Sequence, residues 1–352
     1  MKLQQFLGGL GVLMGAALVA RRVQRLRRRI DFTDRVAVIT GGSRGLGLLV
    51  ARELVGEGAR VTLVARTAGD LDMARADLRA RTERSVEIAI ADVAEREQLC
   101  GVIRETAARQ GRLDILINCA GTIQVGPLEH METADFERAL ATHFWGPFFA
   151  IQAALPIMRE QGEGRIVNIS SIGGQIALPH LTPYVASKFA LSGLSDAIGD
   201  EVARHGILVT TVCPGLMRTG SHVNAEFKGQ HEAEYAWFAA ASGVPFLAVN
   251  AERAARRIVR ACRYGDRRLT IGVPARLAVL FDALAPELVS DTMGLVNRWL
   301  PDASPQAGPE VRTGWDSRSR WAPSVLVHRA DRVVAEHNEL RGHSIGELRP
   351  SE

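Results

Sequence analysis

The sequence predicts an α/β protein: a single doubly wound domain with a mostly parallel sheet, an N-terminal hydrophobic helix and a helical C-terminal extension. Three observations carry that expectation. The apolar strand Arg35 to Thr40 runs straight into the glycine-rich turn Gly41-Gly-Ser-Arg-Gly-Leu-Gly47 and then into helical sequence. Strand and helix patterns alternate from there to about Cys213, the order that gives parallel strands with helices on both faces. Tyr184 and Lys188 lie four residues apart on one of the expected helices, so phenol and ammonium share a face.

The chain opens with an uninterrupted apolar run from Phe6 to Ala20, followed at once by arginines at 21, 22, 25, 27, 28 and 29. As a helix the run would extend about 22 Å, short of the ~30 Å hydrocarbon core of a bilayer. Positive charge after the run rather than before it disfavours a cleaved signal peptide. The expectation is a membrane anchor over residues 1–30, with lipid as a partner and the body held on the cytoplasmic side by the arginines. A buried helix is the competing reading. Without Lys2 and those six arginines, 36 basic residues face 39 acidic ones. The body is therefore no footprint for nucleic acid.

Residues 31–273 form the expected catalytic domain. After the glycine turn come strands at 60–65, 86–91, 113–118, 165–170 and 207–213, with helices near 70–80, up to 110, 133–158 and 183–204. The turn allows close approach of backbone to a pyrophosphate, which would sit on the following helix N-terminus. Its spacing is G-x-x-x-G-x-G rather than G-x-G-x-x-G. The four cysteines, at 100, 119, 213 and 262, form no CxxC pair. That argues against a disulfide framework or a metal site and fits a reducing compartment.

With these motifs in order, the chain resembles the short-chain dehydrogenase/reductase family, whose domain is of the Rossmann type. The matching residues are Thr40–Gly47, Asp92-Val93, Asn118-Cys-Ala-Gly121, Ser171, Tyr184-x-x-x-Lys188, Pro214-Gly215 and Thr219. The resemblance implies hydride exchange between a nicotinamide and a carbonyl–alcohol pair. Tyr184 would pass the proton, Ser171 would hold the reacting oxygen, and Lys188 would bind the nicotinamide ribose and lower the tyrosine pKa. Gly41, Ser43, Arg44, Gly45, Leu46 and Gly47 would cradle the cofactor phosphates. Asp92 and Val93 would meet the adenine, while Asn118, Ala120 and Gly121 would shape the cleft. Pro214, Gly215 and Thr219 would flank the nicotinamide.

The second strand ends Val64-Ala65-Arg66, with no carboxylate for a ribose 2′-hydroxyl. Arg66 and Arg44 instead suit a 2′-phosphate, so NADP(H) is the expected cofactor. One departure from the family pattern is His143, where an asparagine usually supports a proton relay. Histidine can donate, accept and titrate near pH 6.5, and a satisfied core histidine is an equal reading. Cys119 reads as a small packing residue.

The segment after Thr219 carries Phe227, Tyr235, Trp237, Phe238, Pro245 and Phe246, which suggests a lipophilic substrate or an aromatic lid. Residues 274–352 form the extension. Pro274 to Leu300 reads as two amphipathic helices split at Pro286, fit to pack on the body, close a homo-oligomer or lie on a membrane. Residues 302–324 read as loop and Val325–Leu340 as a last helix. Ketone–alcohol oxidoreduction is the leading function. An epimerase or dehydratase on the same scaffold, and a non-catalytic NADPH sensor, are the alternatives.

Overall fold

A computed structural model describes residues 2–244, 248–304, 307–318, 333–340 and 342–344, with the side chains of 2–13 and of Leu18 outside the description. Helix α1, Lys2–Arg27, precedes β1 (Val36–Thr40), α2 (Gly45–Gly56), β2 (Arg60–Ala65), α3 (Ala68–Arg79), β3 (Val86–Ile90), α4 (Arg96–Gln110) and β4 (Ile115–Asn118). Then follow α5 (Thr133–Leu140), α6 (Gly146–Gln161), the strand Gly164–Ile169, α7 (Thr182–Val202) and the strand Ile207–Pro214. The helix Ala251–Tyr264 leads to a last sheet strand, Arg268–Ile271.

Seven strands form one sheet in the order 268–271, 207–214, 164–169, β4, β1, β2, β3. Every neighbouring pair is parallel. Their side chains are apolar on both faces because helices cover both. On one face α2 and the helix Ala251–Tyr264 bury Leu48, Leu54, Ile39 and Ile258. On the other, α4 and α6 bury Leu99, Ile103, Ile151 and Met158 against Val38 and Leu116. The strand order reverses between β1 and β4, and a ligand crevice opens at the carboxyl ends on either side of such a reversal.

That crevice depends on two close approaches. Gly41, at φ +66°, lies so near the loop after β4 that a Cβ would stand 2.7 Å from the Ala120 Cα. A Cβ on Gly47 would stand 2.2 Å from the Gly41 carbonyl oxygen. The Thr40 hydroxyl oxygen ties the two loops together by accepting from the amides of Cys119 (3.2 Å) and Ala120 (3.3 Å).

Several expectations are corrected here. The long helix expected over 133–158 is interrupted by a π-helical turn, Ala141–Trp145, between α5 and α6. The short strand Arg268–Ile271 was not anticipated. It pairs with Thr211–Pro214 and extends the sheet. Within the expected loop 302–324, Arg312–Thr313 pairs antiparallel with Glu226–Phe227. Of the expected last helix, 325–332 lies outside the described residues, and only 333–336 is helical in the remainder.

The apolar run does form helix as expected. However, no helix among the described residues is long and apolar enough to cross a membrane, so a transmembrane span is not supported. The residues after the run are docked on the body. Arg25 forms a bidentate pair with Asp266 at 2.6 and 2.8 Å and lies over the Tyr264 ring. The Arg28 carbonyl accepts from Arg165, and Phe32 is fully buried. After Ile271 two short helices, Val273–Leu284 and Pro286–Asn297, break at Pro286 as expected, with Ala275 alone buried in them.

Gly47→Ala should cost about 2 kcal/mol or more, because the clash is with backbone that cannot rotate away. Gly56→Ala, with nothing within 4 Å of a new Cβ, should be neutral or stabilising. Thermal melting of the two variants checks this, and equal midpoints would show that the glycine turn is slack.

Candidate active site

A cleft of about 380 Å³ lies at the carboxyl edge of the sheet, walled by the glycine turn, the loop after β4, Ser171, Tyr184, Lys188 and the Pro214–Thr219 segment. Parallel register places these groups together. Thr40, Asn118 and Asn168 are aligned across three strands, so the residues that follow each strand emerge side by side. A larger surface hollow of about 880 Å³, near Trp237 and Trp299, holds none of the tyrosine–lysine chemistry.

Helix α7 begins at Thr182-Pro183, with proline in the first turn where its missing N–H costs nothing. Tyr184 and Lys188 follow one turn apart. The Ser171 hydroxyl, which lines the same cleft as the Tyr184 phenol, accepts from the Gly173 amide at 3.1 Å. The Lys188 Nζ donates to the Ile169 carbonyl at 2.9 Å and lies 5.7 Å from the centre of the Tyr184 ring. Burial pushes the Lys188 ammonium down to about 8. Burial also raises the Tyr184 pKa, outweighing the Ser171 hydrogen bond that lowers it.

His143 sits in the π turn, 1% exposed, its ring edge-on to Tyr184 with centroids 5.5 Å apart. Its Nε2 accepts from the Thr122 amide at 3.1 Å, which leaves the proton on Nδ1, 2.8 Å from the Ser187 Oγ. Ser187 in turn donates to the Tyr184 carbonyl at 2.8 Å. Burial, reinforced by the Lys188 charge, drives the His143 pKa well below its usual value. Both nitrogens are occupied in holding the Thr122 loop and α7, as the core-histidine reading requires.

The remaining expected residues divide. Gly41, Ser43, Arg44, Gly45, Leu46, Gly47, Arg66, Asp92, Val93, Ala120, Gly121, Pro214, Gly215 and Thr219 all line the cleft. Asn118 does not. It is buried behind the lining and donates to the Asn168 side chain at 2.8 Å. Arg44 reaches Asp70 at 3.1 Å, and Arg66, more than half exposed, lies 3.6 Å from Asp92. Cys119 packs against the core with its thiol pushed up to about 12 by burial. Of the described aromatic residues after Thr219, Phe227 and Tyr235 are wholly buried in a cluster that Tyr184 and Leu181 join, and only Phe238 also reaches the cleft wall. Pro245 and Phe246 lie outside the described residues.

Residues not anticipated from sequence hold the site in place. Ser170 bridges the Lys188 carbonyl and Ser192, while Asn168 and Thr211 both reach Ser195. Ser192 and Ser195 repeat the Lys188 face at helical spacing, a polar stripe readable in the sequence. Glu339 also lines the cleft, and no local pattern announces it.

The cradle fits a nicotinamide dinucleotide. Gly41 and Gly47 bring backbone where side chains would block it. A Cβ on Gly121 would crowd His143 Nε2 at 3.2 Å and stand 3.8 Å from the Lys188 Nζ, so glycine keeps the floor open there.

Residues 35–228 match the family model described as short chain dehydrogenase. The chain is 34% identical over 217 residues to dehydrogenase/reductase SDR family member 7B of Danio rerio, covering 60% of this chain and 70% of that one. It is 36% identical over 181 residues to the 3-ketodihydrosphingosine reductase of Mus musculus, covering 50% of this chain and 54% of that one. Among solved structures it resembles L-sorbose reductase from Gluconobacter frateurii, complexed with NADPH and L-sorbose. The TM-score is 0.62 at 25% identity, over 69% of this chain and 97% of that one. The chain belongs to the short-chain dehydrogenase family, nicotinamide-dependent oxidoreductases that act on carbonyl and hydroxyl groups.

Proposed function

We propose that this protein is an NADP(H)-dependent oxidoreductase that interconverts a ketone or aldehyde and an alcohol on a lipophilic substrate. The observation that carries the reading is the gathering of Ser171, Tyr184 and Lys188 on one wall of the cleft, with the Lys188 Nζ 5.7 Å from the Tyr184 ring centre. When bound, the nicotinamide supplies or takes the hydride. Tyr184, half-buried on the cleft wall, donates its proton to the carbonyl oxygen during reduction. Ser171 holds that oxygen where negative charge develops. Lys188 gives the phenolate that remains a neighbouring cation, which makes the transfer reversible. His143 acts through α7 and the Thr122 loop as a positioning residue.

Ile123, Ile172, Leu178, Leu181, Met217 and Phe238 give the cleft apolar walls beside these polar groups. Such walls favour an apolar substrate body with one polar reacting end. The sphingoid ketone named for the mouse relative has that character. NADP(H) is supported by Arg44 and Arg66 at the cleft margin, by the absence of a carboxylate at the end of β2, and by the NADPH of the sorbose reductase complex. Intact Ser171, Tyr184 and Lys188 favour turnover over a sensor role.

We also propose that the protein associates with a membrane, its catalytic body on the cytoplasmic side. Helix α1 carries the apolar run and its basic flank. The helices after Ile271 expose Leu277, Leu280, Phe281, Leu284, Leu288 and Leu295. An apolar face of that kind suits insertion at a lipid surface.

Tyr184→Phe should retain NADPH binding and lose roughly 10²-fold or more in turnover, the scale of a lost general acid. Steady-state rates on a panel of lipid-like ketones decide it, and near-normal turnover would remove Tyr184 from the mechanism. In Arg66→Asp, the ratio of kcat/KM for NADPH over NADH should fall by about 1.5–3 kcal/mol, the worth of a charged hydrogen bond. A wild-type preference for NADH would contradict the assignment. In fractionated cells the full-length protein should sediment with membranes and resist high-salt extraction, because salt screens charge but not apolar insertion. Recovery in the soluble fraction at low salt would refute the anchor.

A further inference from the structure

The anion cradle at the start of α2 is already engaged by a distant part of the same chain. Residues 333–340 cross the glycine turn. Their helical turn ends at Asn338, whose φ of +57° redirects the backbone into the cleft. The Gly45 amide donates to the His337 carbonyl at 2.8 Å. The Asn338 side chain donates to the carbonyls of Ser43 (2.8 Å) and Asp70 (3.1 Å), closing over both sides of the turn. Asn224 then holds the Glu339 carbonyl at 3.0 Å, and Arg52 holds that of Glu336 at 2.9 Å.

These contacts deliver one side chain. Glu339 is 5% exposed, and its Oε2 accepts from the Gly220 amide at 2.5 Å. Its Oε1 lies 3.1 Å from the place a Gly45 Cβ would occupy. A carboxylate is thereby held between the N-terminus of α2 and the loop after Thr219. Amides at helix starts attract phosphate, and here the Gly45 amide is taken by the His337 carbonyl while the carboxylate lies beside it on Gly220. Burial pushes the Glu339 carboxyl up to about 7, against the Gly220 hydrogen bond and the charge of Arg44. An acid is costly to hold in such a place, which keeps the closed arrangement within reach of displacement.

We propose that residues 333–340 are a built-in competitor for the dinucleotide: Glu339 takes the anion position between Gly45 and Gly220, and cofactor enters only as the segment leaves. The inference rests on the dinucleotide reading of the cleft. The apparent affinity for cofactor is then the intrinsic affinity reduced by the open fraction, so loosening the segment tightens binding.

The test uses full-length protein: wild type, Glu339→Ala and Asn338→Ala. NADPH and NADH binding is titrated by fluorescence, and hydrogen–deuterium exchange of 333–340 is followed with and without saturating NADPH. Both variants should bind NADPH about tenfold more tightly, and NADPH should speed exchange in 333–340 of the wild type. Asn338→Ala leaves the charge of the cleft unchanged, so a gain there cannot come from removing repulsion. Unchanged or weaker binding by Asn338→Ala overturns the competition. So does slower exchange on NADPH binding, which would make the segment a strap that closes over cofactor. Failure of all three proteins to bind either dinucleotide would sink the cofactor reading and the competition with it. Tight binding unaffected by either substitution would sink the competition alone.

Discussion

The site depends on how helix α7 is fixed against the sheet. Apolar packing alone leaves a helix free to slide by fractions of a turn, whereas a chemical step needs its groups held to about half an ångström. Here buried side-chain hydrogen bonds set the register. Asn118 reaches Asn168, Asn168 and Thr211 reach Ser195, and Ser170 reaches both Ser192 and the Lys188 carbonyl. These groups are almost fully buried, so any slip would strand several of them without partners. The same register puts Tyr184 against Ser171 and Lys188 against the Ile169 carbonyl. His143 completes the arrangement from the far side through Ser187.

Dryness gives this arrangement its electrostatics. Burial lowers the Lys188 pKa, raises that of Tyr184 and keeps His143 neutral. All three shifts disfavour charge, the direction that burial imposes. A site in that condition is poised to gain from an incoming anion. The Glu339 carboxylate answers the same demand from within the chain, accepting from the Gly220 amide beside the glycine turn.

Much of the architecture was legible in the sequence because glycine spacing and strand–helix alternation are local signals. The strands from β1 to 207–214 fell within two residues of their expected bounds. The strand Arg268–Ile271 was missed because an alternation of only four residues is too short to stand out from its charged surroundings. The π turn was missed because its sequence, Ala-Thr-His-Phe-Trp, continues a helical pattern, and only tertiary packing shows the extra residue. Phe227 and Tyr235 read as substrate contacts or as lid packing, and composition cannot tell which side of a lid a ring faces. Glu339 was beyond reach: its partners Gly45 and Gly220 are remote in sequence, and nothing near residue 339 marks it as a ligand for amides.

The account's central claim is that the Ser171–Tyr184–Lys188 cleft directs hydride between a nicotinamide and a carbonyl carbon. Deuterium tracing tests this most directly. NADPH labelled separately at each of the two C4 positions is turned over with a lipid-like ketone, and the product alcohol is weighed by mass spectrometry. The account predicts one deuterium on the carbinol carbon from one labelled position and none from the other, because the cleft presents one face of the ring. Label from both positions alike, or an alcohol whose carbinol hydrogen comes from solvent, would contradict it.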